Sequence, residues 1–342
     1  MCAGQIFRGS LFFFSCTLIA AGKQPSDEKK SIDLLQFCPR VVWQIVLDYM
    51  GPYQASHIPL HVPLAEPTAV VNDILFHPSD NTLFARSDKN EKVHLLYLKT
   101  AQSVRCFEND RYIKSMALSS DGNVLGLVDG NKARLFNVGS GKLLWQPYSG
   151  FLSDEIAVLA FNHDGSCMVI GGYYGLTLFN MQEQKKITDL ILTRHIVQAA
   201  FNQDGNSLLA VSKNWPIEAP CTRVTELNVH EERWVIEKDY IPKDVDIATD
   251  NAVFSHNRNM VLILHCASKK VYFFNIAKNK KAQRFNGSSA AFSSDDKLFA
   301  LGDEKNVCLY NTVTQTLLHK IEMDKLVSAI AFHPSVPRLA VA

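Results

Sequence analysis

No two of the eight cysteines (Cys2, Cys16, Cys38, Cys106, Cys167, Cys221, Cys266, Cys308) stand in a Cys-x-x-Cys pair. Their scatter gives neither a zinc ribbon nor a disulfide framework, so they read as small core residues. A Gly-x-Ser-x-Gly elbow and a phosphate loop are also missing. Gly139-Ser140-Gly141-Lys142 lacks the upstream glycine and the following helix that a phosphate site needs. No cofactor or metal is therefore expected. One-sided charge is absent too: 35 Lys and Arg face 34 Asp and Glu, for a net charge of +1. Such a balance excludes the basic stripe that nucleic acid or an anionic membrane surface requires. The short basic cluster from Lys278 to Lys281 reads as a solvated turn. The apolar run over residues 11–21 is shorter than the roughly 20 residues that a membrane-spanning helix needs.

What the sequence does contain is one phrase written repeatedly. It begins at Phe76, Leu118, Phe161, Phe201, Phe254, Phe292 and Phe332, at spacings of 42, 43, 40, 53, 38 and 40 residues. Each copy has an apolar anchor, a polar turn carrying Asp, Asn, Gly or Pro, and a short apolar run, the pattern of a β-hairpin. Leu135-Phe136-Asn137-Val138, Leu178-Phe179-Asn180-Met181, Phe273-Phe274-Asn275-Ile276 and Leu309-Tyr310-Asn311-Thr312 follow their anchors as a second signal. Four short strands fit each period; in one copy they are 157–161, 167–170, 176–180 and 186–192. A four-stranded sheet of this kind cannot bury both faces alone, so the copies must stack around an axis. The expectation is an all-β propeller of seven blades over residues 54–342.

At these residues the sequence resembles the WD40 repeat family, most closely over Phe161 to Asn180 and Phe292 to Asn311. It departs from that family where Trp-Asp is replaced by Phe136-Asn137, Phe179-Asn180, Phe274-Asn275 and Tyr310-Asn311, and it has no Gly-His dipeptide. The side-chain network joining that His to the Trp is thus missing. The blades are expected to rely on apolar packing instead.

Recurring polar residues have a turn reading. His77, His163, His256 and His333 all fall in the turn between the first two strands, in blades too far apart to share a metal. Asp121-Gly122, Asp164-Gly165 and Asp204-Gly205 supply the positive φ of tight hairpins, not acid catalysis.

The N-terminal part differs. Arg8, the apolar run and the small residues Ala20, Ala21 and Gly22 form the pattern of a secretory signal peptide over residues 1–22. The expected location is export, secreted or periplasmic; without the signal it is the cytoplasm. A polar linker follows. From Pro39, the residues Val41, Val42, Ile45, Val46, Tyr49 and Met50 recur at helical spacing up to Gly51-Pro52, which predicts a short amphipathic helix within 23–53. Its wording resembles the opening helix of an F-box, and that resemblance implies a substrate-recognition adaptor of a ubiquitin ligase. The prolines within 57–64 suit an edge strand that closes the last blade.

The function expected is a non-enzymatic scaffold for a protein or peptide partner, without nucleic acid and without a membrane in the mature form. Alternatives are the ubiquitin-ligase adaptor and a secreted propeller hydrolase or lyase with residues converging on the channel mouth. Trp215, in the longest interval beside Pro216 and Pro220, and Trp43 in the expected helix are the candidate partner-binding residues.

Overall fold

The computed structural model describes residues 42–50, 54–62 and 71–342, apart from residues 79–81, 88–91, 98–102, 109–111, 131, 149–155, 193, 203–204, 206, 215–221, 231–232, 241–248, 266, 280–281 and 336–337. The expected signal peptide, the linker and Trp215 lie outside the described residues. All regular structure that is described is β-strand.

Six blades are each built from one contiguous stretch of four antiparallel strands. They are β3 to β6 (Val71–Phe76, Thr82–Ser87, Lys92–Tyr97, Ser103–Glu108), β7 to β10 (Ser115–Leu118, Val124–Val128, Ala133–Asn137, Leu143–Trp145), β11 to β14 (Ile156–Phe161, Cys167–Gly172, Gly175–Asn180, Lys185–Ile191), β15 to β18 (Arg194–Phe201, Ser207–Asn214, Thr222–His230, Arg233–Tyr240), β19 to β22 (Asn251–Phe254, Met260–His265, Lys270–Asn275, Gln283–Asn286) and β23 to β26 (Ser289–Phe292, Leu298–Asp303, Asn306–Asn311, Leu317–Glu322). They are called blades 1 to 6, and their strands a to d.

Six repeat-built blades correct the expected seven. The anchor at Phe332 heads only two strands, β27 (Ile330–Phe332) and β28 (Arg338–Val341). Their sheet is completed from the other end of the chain, in the order β2-β1-β28-β27, by β1 (Val42–Met50) and β2 (Gln54–Val62). Residues 42–50 are therefore a strand where the periodicity predicts a helix. Val, Ile, Trp and Tyr dominate this stretch and favour extended backbone. The edge of β28, with Leu47 opposite Leu339, gives that backbone its hydrogen-bond partners. Pro59 sits in the outermost strand, the position in a sheet where proline is tolerated.

Strands a of successive blades lie side by side (β7 with β11, β11 with β15, β15 with β19, β19 with β23), and β27 lies between β23 and β3. They therefore line the axis. Each hydrophobic cluster is shared by two neighbouring sheets, and the series closes on itself. Leu83 and Ala85 meet Ala329 and Ala340 across one junction, and Val307 and Leu309 meet Leu339 and Val341 across the next. Burial of one such aliphatic side chain contributes about 1.5–3 kcal/mol.

The aromatics standing in place of Trp each pack edge-on against an aromatic from strand d of the preceding blade. The pairs are Phe136 with Phe107 (5.7 Å), Phe179 with Trp145 (5.5 Å), Phe274 with Tyr240 (6.5 Å) and Tyr310 with Phe285 (5.0 Å), at interplanar angles of 67°, 82°, 67° and 66°. Apolar packing does replace the missing network, and it does so between blades. Offset and edge-to-face aromatic pairs add about 0.5–1.5 kcal/mol beyond area burial.

Turn conformation repeats as strictly as the strands. Every non-glycine residue of positive φ among the described residues falls at one of three recurring turn positions, where other blades place glycine. In the a–b turns the series is Gly122, Gly165, Gly205, Arg258 and Asp296; in the c–d turns it is Gly141, Gln184, Asn279 and Gln315. Exposed Gln184 holds this conformation (φ 52°) with no compensating side-chain bond among the described residues. Gln184→Gly is expected to raise stability by about 0.5–1 kcal/mol, because an L-residue is strained there. Arg258→Gly, at an equivalent φ of 60°, is expected to lower it by about 1 kcal/mol or more, since the guanidinium makes bonds described below. Denaturant midpoints of the two variants check the pair of signs. Equal shifts would sink the assignment of a structural role to Arg258.

Candidate functional site

Alternating strand direction puts the a–b and c–d turns on one face of the ring and the b–c turns and d–a connections on the other. The two faces are made differently.

On the first face, a–b turns of adjacent blades are tied together. His77 Nε2 lies 3.1 Å from the carbonyl of Gly122, and Ser120 Oγ donates to the carbonyl of His163. Arg258 Nε donates to the carbonyl of Phe201 at 2.8 Å, and its second nitrogen donates to the carbonyl of Ser255 at 3.1 Å. The Asp296 carboxylate accepts the backbone N–H groups of His256 and Asn257, both at 2.7 Å. The ring of His333 packs on Phe76 at 4.9 Å. All four recurring histidines therefore sit in the turns, as their spacing predicts, and they also join one blade to the next. A side chain at Gly122 would run into His77, with a Cβ placed 2.3 Å from Nε2. Glycine is required there for space as well as for its φ of 76°.

Asp121, Asp164 and Asp295 on this face are committed to their own turns. Ser166 Oγ and the Ser166 N–H hold Asp164 below the usual carboxylate range, and Ser119 Oγ does the same for Asp121. Burial pushes Asp295 upward, but the bonds from Ser293 and Lys297 outweigh it and leave the group below its ordinary value. A general base wants the opposite shift.

The second face carries exposed apolar surface. Tyr148 in the connection after β10 is 78% exposed, Ile191 at the end of β14 is 73% exposed and Leu326 in the connection after β26 is 68% exposed. Tyr174, in the b–c turn of blade 3, and Tyr112, before β7, are about half exposed. Tyr112 is oriented by Asn72, whose amide donates to its hydroxyl at 3.4 Å. Beside Tyr174, Tyr173 stacks on His195 of blade 4 at 4.2 Å and 11°, which fixes the tip of the turn. Among the described residues the other face has Val313 exposed in a turn, and Tyr97, Leu143 and Leu317 about half exposed at the strand ends that border its c–d turns.

Two arginines flank this sector. Asp239 accepts Arg223 at 2.6 Å, Thr225 Oγ1 at 2.8 Å and Arg194 at 3.3 Å. Burial raises its proton affinity, but these three partners win and hold the carboxyl below its usual range. Thr177 Oγ1 and Asp189 repeat the strand c to strand d bond in blade 3 at 2.9 Å. Among the described residues no group of three or more His, Cys, Asp or Glu could hold a metal ion. Cys106, Cys167 and Cys308 are free thiols.

Neither candidate partner-binding residue falls in the apolar sector as described. Trp43 lies in β1 with its backbone opposite His61, and Trp215 is outside the described residues. Tyr112, Tyr148, Tyr174, Ile191 and Leu326 were not singled out by sequence reasoning. The Tyr173-Tyr174-Gly175 hairpin tip is the signal that could have found one of them, since large apolar residues in a two-residue turn have no core to enter.

A closed ring of four-stranded meanders with strand a at the axis defines the class: the protein is a β-propeller. No protein family matches the sequence as a whole, and no curated protein is similar to it at a significant level. Among solved structures, a chain of Kuenenia stuttgartiensis hydrazine synthase has a similar fold, with a TM-score of 0.64 over 78% of this chain and 90% of that chain, at 11% sequence identity. At that identity the likeness concerns the fold alone.

Proposed function

We propose that the protein is a non-enzymatic docking platform of WD40-like type that holds a protein or peptide partner on the face of b–c turns and d–a connections. The observation that carries this reading is the asymmetry of the two faces. One face spends its polar turn groups within its turns and on neighbouring blades; the other displays Tyr112, Tyr148, Tyr174, Ile191 and Leu326 to solvent. Tyrosine suits such a role because it buries large area at low entropic cost and keeps a polar tip. A stacked ring supplies a preformed surface, so little ordering free energy is lost on binding. We further propose export, supported by the signal-like pattern of residues 1–22.

The test is proximity labelling in the native host with Tyr148→Ser/Tyr174→Ser/Leu326→Ser, using Val313→Ser as the control on the opposite face. The triple variant is expected to keep the wild-type melting temperature and to lose the leading labelled partner at least tenfold. Val313→Ser is expected to retain it. An unchanged partner profile in the triple variant would refute the docking face.

A further inference from the structure

Of the twenty-one asparagines, only Asn286 opens an Asn-x-Ser/Thr sequence, Asn286-Gly287-Ser288. This tripeptide is the acceptor pattern for N-linked glycosylation in chains that enter a secretory compartment. Its placement suits that chemistry in three respects. Asn286 is exposed and is the last residue of β22, the outermost strand of blade 5. Its side-chain oxygen accepts Lys270 Nζ at 2.6 Å, whereas its Nδ2, the atom that would carry a sugar, makes no hydrogen bond among the described residues. The turn behind it is pinned, with Gly287 N–H on the Lys269 carbonyl at 3.0 Å and Ser288 N–H on the Gly302 carbonyl at 2.8 Å. A glycan at Nδ2 therefore disturbs neither the strand nor the bond to Lys270.

We propose that Asn286 is an N-glycosylation acceptor. In the transfer, Nδ2 forms a C–N bond to the anomeric carbon of a lipid-pyrophosphate-linked oligosaccharide. The C–O bond to the pyrophosphate breaks, the lipid pyrophosphate leaves with the electron pair, and the amide gives up one proton to solvent. The product stands at the outer rim of blade 5, whereas Tyr148 and Tyr174 belong to the turns and connections of blades 2 and 3. A glycan there would cover part of the docking face's rim and leave the tyrosine sector open. The proposal rests on the export reading for its biological setting, and the two can fail separately.

The full chain is to be expressed in insect cells, once with its own N-terminus and once behind a surrogate secretory leader. With the surrogate leader, the secreted protein is expected to show a single-glycan mass shift removed by peptide N-glycosidase. That shift is expected to disappear in Asn286→Gln and in Ser288→Ala and to persist in Ser288→Thr. Because enzymatic release converts the asparagine to aspartate, peptide mapping reads the site directly. Secreted, folded protein without the shift overturns the acceptor assignment. Retention of the chain bearing its own N-terminus, while the surrogate-led chain is glycosylated, overturns export and upholds the acceptor.

Discussion

Phe299→Ala is expected to lower the unfolding free energy by about 3–5 kcal/mol, the range for removing a fully buried aromatic side chain. Phe299 has no exposed surface. Its ring stacks on Tyr310 at 4.9 Å and meets Phe273 at 5.3 Å, Phe285 at 5.4 Å and Phe292 at 6.2 Å, so it stands at the centre of the junction between blades 5 and 6. The vacated space is walled by strands of two sheets that are held apart by their own ladders, which leaves little room for collapse. Chemical denaturation should show a lower midpoint, and Phe299→Leu should recover most of it. A loss below about 1 kcal/mol would mean that the junction can close over the gap, contrary to a rigid aromatic seam.

Gly175→Ala is expected to cost about 3 kcal/mol or more, against about 1–2 kcal/mol for Gly165→Ala. Both glycines have positive φ, 134° and 73°. They differ in what a methyl group would meet. At Gly175 the Cβ would lie 1.9 Å from the carbonyl oxygen of Leu190, a backbone atom that cannot move without parting β13 from β14. At Gly165 nothing lies within 4 Å. Thermal melts of both variants separate steric conflict from backbone preference. Equal losses would show that conformation alone sets the cost.

Much of this fold is legible in the sequence because its information is local. Ile156 through Asn180 carries a strand, a turn and two more strands in one continuous phrase, and the observed β11, β12 and β13 fall within two residues of the expected bounds. Residues 42–50 form a strand where the periodicity predicts a helix, because their apolar positions satisfy both a helical period and an extended run. What decides between them is the edge of β28, almost 300 residues away. The aromatic seams follow the same logic. Phe136, Phe179, Phe274 and Tyr310 are visible as substitutes for Trp, but Phe107, Trp145, Tyr240 and Phe285 become their partners only when blades stack. The exposed apolar sector is hidden for a related reason: exposure of Tyr148 or Leu326 is a property of which connections share a side of the ring, and no window of sequence contains it.

The composite sheet has a consequence for biosynthesis. β1 and β2 leave the ribosome well before β28, the strand that β1 must join. At about 5–20 residues per second the early hairpin waits roughly 14–55 s with one edge uncovered. During that interval the β1 edge lacks its native partner and is open to pairing with a neighbour on the same polysome, an edge that the proline of β2, on the other side of the hairpin, does not guard.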